Sequence, residues 1–138
     1  MQIVLQEKLR TRSPRCADRG EVIPYLGQEM PYKVVLHAVA INGWYESSPE
    51  VITDVTRRAL EMAAQHGAKK VALTALATGF GRLNFAEFAQ GLRPILKDAF
   101  PPIEQVVVCL LLDFRVAELG RHLPEIECVT PLTYSPTQ

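Results

Sequence analysis

One stretch, residues 71–84 (VALTALATGFGRLN) running on into FAEFAQGL, constrains the fold of this chain more than any other. It opens on a short apolar run, residues 71–76, that reads as a buried strand. It closes on Asn84, a good helix cap, with Glu87 three residues later, the pattern of a capping box. Between them lies Ala77-Thr78-Gly79-Phe80-Gly81-Arg82. Two glycines in a strand-to-helix turn let the backbone bend tightly and come close to a ligand. Free N–H groups in such a loop, beside a helix N-terminus, make a site for anions and above all for phosphate. A plain structural turn is the competing reading. The loop is not a P-loop, because no Lys-Ser/Thr pair follows the glycines, and it is not a dinucleotide fingerprint, because the third glycine is missing.

The other properties of the chain narrow its class. Its 138 residues suit one domain with a real core. We expect a single unit over residues 1–138, with a variable N-terminal segment over 1–19 and a tail over 124–138. Fifteen Lys+Arg balance fifteen Asp+Glu, so nothing in the net charge pulls the chain toward specific nucleic acid or a membrane. No apolar run is long enough to span a bilayer. The N-terminus MQIVLQEKLR lacks the order of a signal peptide. The three cysteines, Cys16, Cys109 and Cys128, are scattered, which argues against a disulfide framework or a zinc site. A reducing cytoplasm and no metal or cofactor are expected, with Cys109, inside VVVCLLL, as a buried core thiol.

Taken in order, MQIVLQEKL reads as a short strand or the tail of a helix. RTRSPRCADRG reads as a polar loop. Residues 21–26 are a weak strand, placed at an edge by Pro24, which cannot donate to a ladder. Residues 32–41 (YKVVLHAVAI) are nearly continuous in apolar residues, as a strand covered on both faces should be. His37 in its middle reads as a hydrogen-bonded core histidine. Asn42, Trp44 and Tyr45 lie in the loop at the end of that strand, where ligand contacts gather in α/β sheets. Ser47 caps a helix with Glu50 at its third position, Pro49 in its first turn and Gly67 past its end. Ile52, Val55, Ala59, Met62 and Ala63 share its inner face.

The helix after Asn84 buries Phe85, Phe88, Ala89 and Leu92, and Gly91 and Pro94 predict a kink or early break. VVVCLLL reads as the central strand, with Asp113 and Phe114 at its carboxyl end. A helix over 116–123 and a short strand over 126–129 close the chain. This alternation of strands and helices predicts an α/β fold, a mostly parallel mixed sheet in a three-layer α/β/α sandwich.

The ordered set of motifs resembles the macro domain family. KVVLHAVAI, a helix ending in EMAAQHG, then AKKVALTALATGFGRLNFAEFA match the family's V-I-H-A-V strand, its helix, and the strand that leads into a G-T-G-x-x-G loop and a further helix. GEVIPYLGQEMPYK resembles the segment before them. The resemblance covers roughly residues 20–123. It implies a macro-domain-like fold and binding of ADP-ribose or a related nucleotide. Thr78, Gly79, Phe80, Gly81 and Arg82 would then form a phosphate loop, with Phe80 against the distal ribose and Phe114 against the adenine, where an aromatic face suits a base. Asn42, Trp44 and Asp113 are further candidates.

The departures from the family pattern are as informative. The family's first strands are lacking here, along with the Asp that reads adenine, the N-A-A-N strand end and the Gly-rich first phosphate loop. The resemblance places the start of the chain after them. Arg82 and Asn84 stand where a glycine and a proline are usual. Arg82 is suited either to pair with phosphate or to fill the groove itself. The absent strand lies, in the family, between those matched by residues 32–41 and 71–76, and its loss would leave two unpaired edges. MQIVLQ folding back, a second chain, or closure of the two strands would fill the gap, and a homodimer is the expected answer. The expected function is therefore ADP-ribose binding without catalytic residues. The alternatives are a non-binding domain for oligomerisation or protein interaction and an ADP-ribosyl hydrolase, against which the absent Asn segment counts.

Overall fold

A computed structural model describes residues 2–12, 16–27 and 29–129. The element order is α1 (Gln2–Arg10), β1 (Val22–Tyr25), β2 (Val35–Ala38), α2 (Pro49–Gln65), β3 (Lys70–Thr74), α3 (Phe85–Leu92), a 3-10 turn (Arg93–Lys97), β4 (Gln105–Cys109) and α4 (Asp113–His122). The expected α/β class is found.

Helices form the centre of the molecule. The apolar stripe of α2 buries Ile52, Val55, Leu60 and Ala63 against Phe88, Ala89 and Leu92 of α3. Leu119 and Leu123 of the α4 segment and Ile95 of the 3-10 turn complete this cluster. Phe88, Ile52, Leu60, Leu123 and Val55 are the largest wholly buried side chains. The α2–α3 crossing is close because residue 91 has no side chain. A Cβ there would sit 2.5 Å from the Pro49 carbonyl oxygen and 2.7 Å from Ile52 Cβ. Thr53 Oγ1 donates to the Gly91 carbonyl at 2.6 Å and ties the helices at the same point. Gly91 is thus a packing residue. The expected break follows one residue later, where α3 tightens into the 3-10 turn with Pro94 in its first positions.

The caps follow local chemistry. Asn84 and Glu87 form the full reciprocal capping box of α3, each bond 2.9 Å. On α2 the cap is Ser48, whose Oγ accepts from the Val51 amide, and the expected Ser47 cap is corrected by one residue. Placing Pro49 as the first helical residue satisfies its fixed φ and missing N–H. Gly67, at φ 73°, ends α2 as expected.

The strands stand as two pairs. β1 and β2 are antiparallel, with Val22 opposite Ala38, and β3 and β4 are parallel, with Val71 opposite Val106. Among the described residues no hydrogen bond joins β2 to β3. The sheet is interrupted at the place where the absent strand was expected. MQIVLQ does not fill that place, since residues 2–10 are helical. Nor do the two strands close up on each other.

The pairs are covered unevenly. Val71, Leu73 and Val108 pack on the helical core, while Lys70, Ala72 and Thr74 of β3, with Gln105, Val107 and Cys109 of β4, are exposed. Two expectations are corrected here. VVVCLLL supplies a strand of a two-stranded pair, not a central one, and Cys109 is an exposed thiol. Both had assumed cover on both faces. His37 is half-buried, but its Nε2 is enclosed without a partner among the described residues, so the expected hydrogen bond is not made. Residues 126–129 form no strand, and α4 begins at Asp113 rather than Val116.

Arg12 braces the loop ahead of β1 with a two-pronged bond to Glu21, at 2.7 and 3.1 Å. That bond, helped by the Asp18 amide, holds the Glu21 carboxyl below the usual range.

Gly91→Ala tests the close crossing. Alanine gains about 1 kcal/mol of helix propensity, but the overpacking costs more, and we expect a net loss of about 1–2 kcal/mol in urea unfolding with an unchanged slope. Unchanged or increased stability would show that the helices do not meet this closely.

Candidate functional site

The carboxyl ends of β2, β3 and β4 meet around a groove of about 460 Å³. Residues 38, 40 and 41 form one side, residues 74–81 the second, and residues 109–111 the third. Such a place, beyond strand ends at a break in the strand order, is where α/β folds bind ligands.

The loop 77–83 is built by local constraints. Ala77 adopts φ 61°, a left-handed conformation that costs an L-residue of this kind about 1–2 kcal/mol. Its carbonyl accepts from the Leu83 amide at 3.3 Å and closes the loop. Thr78 uses its hydroxyl on the Ala75 carbonyl at 2.7 Å, and its amide points to the same oxygen. Leu83 is buried and anchors the loop's end, and the capped start of α3 follows directly.

The two glycines serve different purposes. A Cβ on Gly81 would run into the Ala77 carbonyl, with the Ala77 C and Cα both at 2.8 Å. Gly81 is therefore required by the loop itself. A Cβ on Gly79 meets nothing within 4 Å, and Gly79 does not have a positive φ. No structural demand of the chain explains glycine at 79.

Among the described residues nothing accepts a hydrogen bond from the backbone N–H of Gly79, Phe80, Gly81 or Arg82. The guanidinium of Arg82 is exposed, makes no ion pair among the described residues, and does not line the groove. The groove is not plugged by it. Phe80 stands 91% exposed at the groove. Successive unpaired amides in a tight turn present partial positive charge, the elementary requirement for holding an anion.

The sequence-derived candidates divide accordingly. Thr78, Gly79, Phe80 and Gly81 line the groove together, and Arg82 flanks them. Phe114 and Asp113 lie at the start of α4, outside the groove lining. Arg115 lies 5.3 Å from the Phe114 ring and 5.4 Å from the Phe85 ring, so one face of Phe114 is already occupied. Asn42 is committed to its own loop. Its Oδ1 accepts from the Trp44 and Glu46 amides, both at 3.0 Å, and its Nδ2 donates to Glu46 Oε2. Trp44 is exposed and does not line the groove. Sequence reasoning passed over Ala38, Ala40, Ile41, Leu110 and Leu111, which form walls of the groove. Their only signal was a place at or just beyond strand ends. Among the described residues no cluster of His, Cys, Asp and Glu is arranged to hold a metal ion.

Comparison with protein families now gives the class. The macro domain family model matches residues 4–92, well over half of the chain, and the chain belongs to that family. The match runs from within α1 to the end of α3 and takes in the whole glycine loop, while β4 and α4, with Phe114, lie beyond it. Comparison with curated protein sequences returns no match. Macro domains generally bind ADP-ribose.

The differing glycine roles predict differing substitutions. Gly81→Ala should lower the melting midpoint by several degrees, a cost of about 1–3 kcal/mol. Gly79→Ala should leave it within about 1 °C, because the site tolerates a side chain. Thermal unfolding of both proteins checks this, and equal effects would contradict the loop geometry.

Proposed function

We propose that the groove binds ADP-ribose, or a related nucleoside diphosphate, and holds it without turning it over. The observation that carries this reading is the row of unpaired amides at residues 79–82 beside an open groove. A diphosphate supplies acceptors for those amides, and Arg82 stands near enough in sequence to add a charged donor. Gly79, free of any structural demand, lets the phosphate approach the backbone. Phe80 offers an apolar face for the ribose, and Phe114 keeps one ring face for the adenine. The groove lining contains no Asp, Glu or His to activate water, which supports binding over hydrolysis. Half of the expected contacts are absent, so the affinity should be low.

Calorimetry tests this directly. ADP-ribose should bind the wild-type chain weakly, with a Kd of roughly 0.1–1 mM. Gly79→Glu should abolish the heat, because its carboxylate occupies the phosphate position while the fold, with open space at 79, stays intact. No heat from the wild type at millimolar ligand would leave the interaction-domain reading in its place. Release of ADP-ribose from a modified protein by the purified chain would overturn the non-catalytic assignment.

A second reading, homodimerisation, rests on the bare outer face of the β3–β4 pair. Parallel strands are ordinarily covered on both sides. Here Val107 is 42% and Leu111 96% exposed, beside Cys109 and Ala72. A second copy covering this face would explain its apolar character. The three exposed cysteines suit a reducing, cytoplasmic setting. Sedimentation equilibrium should give a dimer mass that falls to the monomer with Val107→Lys, and a wild-type monomer at all concentrations would dismiss the dimer.

A further inference from the structure

Each wall of the groove carries, or runs on into a loop that carries, an exposed aromatic ring. The first wall ends at Ile41, and Trp44 follows three residues later, 77% exposed. The second contains the exposed ring of Phe80. The third ends at Leu111, and Phe114 follows three residues later, 62% exposed. Three residues of chain span at most about 11 Å, so the Cα atoms of Trp44 and Phe114 each stand within that reach of a lining residue. Phe80 and Phe114 already have partners in the proposed binding of ADP-ribose, a ribose and an adenine. Trp44 has none.

The loop that bears Trp44 is stiff. The Tyr45 amide donates to the Asn42 carbonyl at 3.0 Å, which places Trp44 inside a tight turn. The Asn42 amide donates to the Glu46 carbonyl at 3.2 Å, and Asn42 Oδ1 accepts from the Trp44 and Glu46 amides. Arg19 reaches the same Glu46 carbonyl from another segment at 3.4 Å. Tyr45 takes φ 62°, a left-handed conformation that is an outlier for so bulky a residue. None of these bonds uses the indole. A tryptophan is ordinarily mostly buried, whereas this turn holds its ring away from the core. A ring fixed in this way has little freedom left to lose when a flat partner stacks on it.

We propose that the ligand of this groove is a dinucleotide, with its diphosphate on the amides of residues 79–82 and its two flat rings on Trp44 and Phe114. The proposal rests on the nucleotide-binding reading above and narrows its ligand class. Three features specify the guest. Unpaired amides call for a diphosphate. Phe114 keeps one ring face open beside Arg115 and receives the first base. Trp44, on the loop beyond a different wall, receives a second flat ring, which ADP-ribose does not have. No charged side chain lines the groove, so neither base meets a fixed charge on its way to its platform. Recognition by stacking accepts any base, because every base offers a π-face.

The test compares two ligands on the full chain. Diadenosine diphosphate is ADP-ribose with a second adenine on its far ribose, so the pair differs by one flat ring. Calorimetry should find the dinucleotide binding about tenfold or more tightly than ADP-ribose. Trp44 is the only tryptophan in the chain, so its fluorescence, excited beyond the adenine absorption, reports directly on stacking. It should be quenched by the dinucleotide and much less by ADP-ribose. Trp44→Ala should raise the Kd of the dinucleotide to about that of ADP-ribose, and thermal unfolding of this variant checks that the exposed substitution leaves the fold intact. Equal affinity for the two ligands would overturn the proposal. So would an advantage of the dinucleotide that survives Trp44→Ala. Equal quenching by both ligands would place the single adenine of ADP-ribose on Trp44 and equally overturn it. Heat from ADP-ribose with no advantage for the dinucleotide ends this proposal and leaves the simpler nucleotide reading standing, whereas no heat from either ligand ends both.

Discussion

Everything in this molecule is hung on the crossing of α2 and α3. Gly91 lets α3 descend onto the first turn of α2, and the Thr53 hydroxyl locks the approach through the Gly91 carbonyl. Two-stranded sheets have little stability of their own in water. Here each pair stands because its inner residues, such as Ala38, Val71, Leu73 and Val108, lean on the helical cluster. The C-terminal turn of α2 launches β3 through Gly67, and the α3 cap Asn84 receives the chain eight residues after Leu76, the end of the 71–76 run. The loop between them is therefore held at both ends by the best-packed part of the protein.

That support explains how the loop keeps an unfavourable shape. Ala77 sits in a left-handed conformation and Gly81 passes against the Ala77 carbonyl, a turn a free peptide would populate little. The amides of residues 79–82 that follow have no hydrogen-bond partner among the described residues. If the loop takes an anion as proposed, this support lowers the ordering cost of binding. Macro domains generally bind ADP-ribose, and the proposed binding by this chain rests on this loop.

The same architecture leaves surfaces unfinished. An uncovered apolar face on β3–β4 and idle edges on β2 and β3 are unusual in a stable globular chain, because parallel strands and buried backbone both demand cover. Lys70 is the charged residue of β3 on this face, at the start of the strand, and the rest of the β3–β4 face carries no charge.

Short-range features were legible in the residues alone. The apolar stripe and caps of α2, the Asn84–Glu87 box, the break near Pro94 and the glycine turn were all readable, because each depends on neighbours within a few positions. Even the one-residue slip from Ser47 to Ser48 is an error of that short range. Its resemblance to the family pattern also led to the expectation of a strand lacking in the sheet between those matched by residues 32–41 and 71–76. Tertiary structure alone decided the rest. It exposed Cys109, left His37 Nε2 without a partner among the described residues, set Arg115 against Phe114, bound Asn42 to Glu46, and separated the work of Gly79 from that of Gly81. Each of these outcomes turns on which distant segment comes to lie alongside, and a linear pattern of apolar residues records the need for cover without naming what provides it.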